Sequence, residues 1–133
     1  MKLTQKIDKK IKDLAEKNLP RAGKWEIAQA SEPVFNLPAK KGSKPVLNLV
    51  VHRESYFIFN TYICFPEEIN SAAKTLLEAI EKHNITPEIL LVRERKIVKK
   101  LEPIAQAFDF VIAYPSRLKA VPIVLREMKK IVG

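Results

Sequence analysis

The sequence predicts an α/β fold bordering on α+β, built as a mixed sheet with an antiparallel hairpin followed by parallel strand–helix units and preceded by an amphipathic helix. Three observations predict it. Val46-Leu47-Asn48-Leu49-Val50-Val51-His52 is almost continuously apolar and rich in β-branched residues, as a strand buried on both faces would be. After the polar turn Arg53-Glu54-Ser55, a second strand-like run extends from Tyr56 to Phe65, dense in aromatic and β-branched residues. Beyond it, short apolar runs alternate with helical periodicity, the pattern of strands added in parallel by right-handed crossovers. A length of 133 residues with 47% hydrophobic content is enough for one packed core.

Taken in order, residues 1–24 read as a basic amphipathic helix with a linker, and 25–133 as one α/β domain. The helix covers about 4–18: Leu3, Ile7, Ile11 and Leu14 share a face, while Asp8/Lys12 and Asp13/Lys17 are i,i+4 pairs elsewhere. Asn18-Leu19-Pro20 ends it, because the residue before a proline avoids helical geometry. Trp25 to Ala30 forms a strand, and 31–44 is a loop broken by Pro33, Pro38 and Gly42 and made basic by Lys40, Lys41 and Lys44. After the two core strands, Pro66, Glu67 and Glu68 suit a first helical turn, with fixed φ from proline and acids for the dipole. Ile69, Ala72, Ala73, Leu76, Leu77 and Ile80 continue that helix to His83-Asn84.

Glu88 to Val92 is the next strand, and its helix carries Ile97, Val98, Leu101, Ile104, Ala105 and Phe108, with Pro103 expected to kink it. Phe110 to Tyr114 is the last strand. The final helix presents Leu118, Val121, Leu125, Met128 and Ile131/Val132, with Ser116 as its candidate N-cap and Pro122 an early kink. That stripe is first a core face and could continue into a homodimer seam. The first helix packs on its own domain or a second copy in one reading, and lies on nucleic acid or an acidic membrane in the other, where apolar residues that are Leu and Ile without Trp or Phe argue against the membrane.

The formal charge is +9. Residues 1–44 hold 11 basic and 5 acidic groups (+6), and 45–133 hold 13 and 10 (+3), so the amino-terminal third carries most of the field that draws anions. The lone Cys64 lies in an apolar stretch and reads as a buried small hydrophobe in a reducing compartment. No run approaches the ~18–20 apolar residues of a membrane span, so no membrane partner is expected. The first twenty residues mix Lys with Asp and Glu and lack an apolar signal core, so a cytoplasmic location is expected.

Four of the six arginines, Arg53, Arg93, Arg95 and Arg117, sit where an apolar run gives way to a turn or helix. Ligands of open α/β sheets bind outside the carboxyl ends of the strands, and the arginine fork suits phosphate and carboxylate. With 46–52, 88–92 and 110–114 running parallel, His52/Arg53, Arg93/Arg95 and Tyr114/Arg117 would share one edge. Ser116 would start a helix there, whose free N–H groups favour an anion. The plainer alternative pairs these arginines with Glu54, Glu94 and Glu102 as a solvated rim, worth roughly 0–1 kcal/mol each.

The order of elements is similar to the ribonuclease H-like fold. From about Trp25 onward the chain also resembles an uncharacterised bacterial domain family. The matching features are the early Trp25, Pro45-Val-Leu-Asn-Leu-Val-Val, the helix after Pro66, Pro87-Glu-Ile-Leu-Leu-Val-Arg93 and Leu101-Glu-Pro103. These are spacings rather than catalytic signatures, and they imply a fold without an activity. Metal-dependent nucleases of this fold need converging carboxylates. Here His52 stands where the first core strand should carry an acid, and Asp109 lies before its strand. Only Glu94, Glu67 and Glu68 remain as nearby acids.

No metal or cofactor is expected: His52 and His83 are the only histidines, and three glycines cannot write a phosphate-binding loop. The leading expectation is a non-enzymatic module binding an anionic partner, nucleic acid before a phosphate-bearing small molecule, through His52, Arg53, Arg93, Arg95, Tyr114, Ser116 and Arg117 at that edge and through the basic amino-terminal segment. The alternative is a protein-interaction or regulatory domain that can self-associate, and behind it a divergent metal-dependent nuclease.

Overall fold

The elements follow one another as α1 (Leu3–Ala15), β1 (Lys24–Ala30), β2 (Val46–His52), β3 (Ile58–Cys64), α2 (Ser71–His83), β4 (Ile89–Val92), α3 (Arg95–Phe108), β5 (Val111–Ala113) and α4 (Ala120–Val132). They come from a computed structural model that describes residues 3–30, 45–65 and 68–132. The loop with Lys40, Lys41 and Lys44, the Pro66-Glu67 pair, and the side chains of Leu3, Ile131 and Val132 lie outside the described residues. The α/β expectation holds: helices cover a mixed sheet in the order β3-β2-β1-β4-β5.

β2 is antiparallel to both β1 and β3, and β4 is parallel to both β1 and β5. The expectation that 46–52, 88–92 and 110–114 run parallel is therefore overturned, because β2 points the opposite way to β4 and β5. The reason is the strand at Lys24–Ala30. It takes the centre of the sheet, pairing with β2 on one side and β4 on the other, so the successive antiparallel pairings β1–β2–β3 reverse β2.

Strand alternation divides the core. Trp25, Ile27, Val50, Leu90 and Val92 face α1, α2 and α3, packing with Ile11, Leu14, Leu76, Leu77, Ile80, Leu101 and Ile104. Ala28, Leu49 and Val51 face the other way, against Ala120, Val121 and Val124 of α4. The apolar stripes of α1 and α4 are thus core faces of this chain. Phe59 stacks on Trp25 at 4.1 Å between ring centroids, and His83 donates from Nε2 to the Phe59 carbonyl at 2.9 Å.

Helix ends follow local chemistry. Asn84 and Asp109 adopt the left-handed conformation and return their N–H groups to Ile80 and Ala105, closing α2 and α3. α2 begins at Ser71 rather than in the expected first turn, and Glu68 instead accepts the Phe65 N–H at 2.8 Å. α3 runs through Pro103, which removes the helical bond to the Lys99 carbonyl. Gly23 has φ +69 and lies against the His52 ring, where a Cβ would come within 2.6 Å of Nε2. Among the described residues, no helix is long and apolar enough to cross a membrane.

Candidate functional site

The reversed β2 splits the expected constellation. Arg93 and Tyr114 follow the carboxyl ends of the parallel neighbours β4 and β5, and Arg95 opens α3 beside them. His52 and Arg53 follow β2 and lie at the opposite edge, next to the start of β1, where His52 is in register with Trp25. There His52 is engaged locally: Nδ1 lies 2.8 Å from the Ser55 hydroxyl, and Nε2 lies 3.6 Å from Glu54. Arg53 pairs with Glu26 at 3.5 Å.

Glu26 is the residue that sequence reasoning missed. It is 0% exposed at the centre of the sheet. Its Oε2 accepts the Lys119 N–H at 3.0 Å, its Oε1 the Val121 N–H at 2.9 Å, and both oxygens the Ala120 N–H at 2.9 and 3.0 Å. Pro122, next in the first turn, has no N–H to satisfy. The amino terminus of α4 is therefore occupied by the chain's own carboxylate, which corrects two expectations. Ser116 does not cap the helix, which starts at Ala120, and these N–H groups are not open to an outside anion. The signal in the sequence was an acid inside the apolar strand Trp25–Ala30, since a charge in a buried strand requires a partner.

Ser116 and Arg117 lie exposed in the connection between β5 and α4. Among the described residues, Arg93, Arg95 and Arg117 form no ion pair, so the solvated rim with Glu54, Glu94 and Glu102 is not built. Glu94 instead accepts the Gln29 N–H at 3.1 Å, satisfying β1 just beyond the end of β4. Burial raises its carboxyl above the ordinary value, against the opposing pull of that hydrogen bond and of Lys96.

The start of α3 is unusual. Arg95, Lys96, Lys99 and Lys100 are all exposed, and the first turn holds no acidic residue. Arg95/Lys99 and Lys96/Lys100 are like-charge i,i+4 pairs, each unfavourable by roughly 0.2–0.5 kcal/mol, and Arg95 and Lys96 lie in the first turn, where the dipole also disfavours cations. Arg95, Val98, Lys99 and Glu102 line an open depression of about 380 Å³ together with Tyr114. Alternation along β5 explains the company: Ile112 packs on the core shared with α3, and Tyr114, two residues on, falls on that same face.

Among the described residues, no three His, Cys, Asp or Glu side chains gather as a metal-binding group. No curated protein matches the chain. A family profile matches residues 10–129, a span that begins within α1, ahead of Trp25. The chain belongs to the family defined by that profile, the domain of unknown function DUF6930.

Proposed function

We propose that this chain is a non-enzymatic module that binds a polyanion, nucleic-acid backbone ahead of a phosphate-bearing small molecule, at the edge of the sheet where α3 begins. The carrying observation is the group Arg95, Lys96, Lys99 and Lys100, held against mutual repulsion, and at Arg95 and Lys96 also against the helix dipole, without an ion pair among the described residues. A sequence that breaks a local rule on an exposed surface gains from a partner that relieves it. Arg93, exposed between β4 and α3, adds a further cation. The test is titration of a fluorescently labelled oligonucleotide at low and physiological salt. Counterion release weakens such binding steeply as salt rises, and an absence of binding even at low salt would sink the proposal.

The strand order β3-β2-β1-β4-β5, with β2 alone reversed, supports the ribonuclease H-like reading of the architecture. It brings no cleavage chemistry with it, since fold does not carry function and the central Glu26 is engaged with α4.

A second reading, self-association, is favoured by β3. This edge strand, Ile58-Phe59-Asn60-Thr61-Tyr62-Ile63-Cys64, holds no charge, proline or glycine to block pairing, and Phe57 and Ile63 are 52% and 45% exposed. The partner it fits is the same strand of a second copy.

A further inference from the structure

We infer that the depression between α3 and Tyr114 takes an unstacked base, so that the preferred partner of this edge is single-stranded nucleic acid. The inference rests on the polyanion reading above and deepens it. Simple phosphate attraction needs only cations, yet the cations here flank an apolar and aromatic surface. Tyr114 is 60% exposed, and Val98 lines the same depression between Arg95 and Lys99 on one side and Glu102 on the other.

The volume of about 380 Å³ falls at the lower end of the roughly 300–1,000 Å³ typical of small-ligand pockets. A base in a duplex has its faces covered by its neighbours, whereas an unpaired base can lay one face on a tyrosine ring.

The chemistry along α3 is graded in a way that orients such a strand. Arg95 and Lys99 lie toward the amino-terminal end and suit backbone phosphate. Glu102 repels phosphate and accepts from the N–H groups on a base edge. Tyr114 supplies the stacking face.

The experiment compares two single strands of equal length and backbone charge, one with bases and one abasic, binding the full chain at low salt. Variants Tyr114→Ala and Tyr114→Phe are measured alongside, with thermal melting to show that each is folded. The base-bearing strand should bind about tenfold tighter or more, the range expected of one stacked base. Tyr114→Ala should abolish that preference, and Tyr114→Phe, which keeps the ring, should retain it.

Equal binding of the two strands by the unaltered protein would overturn the inference while leaving the polyanion reading in place. A preference that survives Tyr114→Ala would do the same. Failure of both strands to bind at low salt would overturn both readings.

Discussion

Glu26 and Glu94 show how differently two carboxylates of one sheet can be employed. Glu26 is fully buried and accepts from three consecutive backbone N–H groups at the start of α4, with Arg53 beside it. Glu26→Ala strands those donors and a partly buried guanidinium together. It should lower the unfolding free energy by about 3–5 kcal/mol, the usual cost of removing one member of a buried pair. Arg53→Ala should cost clearly less, because the N–H groups of α4 still satisfy the carboxylate. Urea unfolding measures both, and a loss from Glu26→Ala within the scatter of surface substitutions would refute its assigned role. Glu94 is held protonated to higher pH by burial, its carboxyl lying above the ordinary 4.5. A raised folded pKa means that its contribution to stability is greatest below the unfolded value and declines as pH climbs through the folded one. Glu94→Gln keeps an oxygen for the Gln29 N–H and removes the titration. The variant should therefore gain on the parent as pH rises from about 4 upward, and a stability difference independent of pH would contradict this.

The strands and helices were legible in the sequence wherever their signal was local. Val46–His52 announced itself by continuous apolar content, and α2, α3 and α4 by periodic apolar positions that face the core, except Ile69, which precedes α2 and is 66% exposed. The direction of β2 was not legible, because it depends on the run Lys24–Ala30 inserting between β2 and β4, a pairing between residues far apart in sequence. That single non-local fact divides the expected site, leaving Arg93, Arg95 and Tyr114 at one edge and His52 and Arg53 at the other. The start of α4 was misread for a related reason: its cap comes from Glu26, more than ninety residues earlier, rather than from the nearby Ser116. β3 carries its own prediction. If it pairs with a second copy, Thr61→Lys places a charge on an exposed position of the edge and should leave folding intact while removing the dimer. Light scattering across a concentration series would show it, and a parent protein monomeric at every concentration would dismiss this mode of association.

Across the whole molecule, the charge is spread widely while the shape at the start of α3 is local. The +9 excess, most of it in residues 1–44, supplies a long-range field for anions, and at the start of α3 two of four exposed cations, Arg95 and Lys99, line an open depression together with Tyr114. Field and site make different demands on a substitution. A diffuse field loses the same small amount whichever cation is removed, whereas a site loses most from its own residues. Arg93→Ala, Arg95→Ala and Arg117→Ala should each weaken oligonucleotide binding by roughly 1–3 kcal/mol where they contact phosphate. Arg126, exposed on α4 with its Nε donating to the Pro122 carbonyl, is the control. The most direct measurement is the salt dependence of single-strand binding for the parent, the Arg95→Ala/Lys99→Ala double variant and Arg126→Ala. A phosphate-binding α3 predicts that the slope of log K against log salt falls by about 0.7 for each contact removed in the double variant and is unchanged in Arg126→Ala. Identical slopes and equal losses in both variants would contradict it.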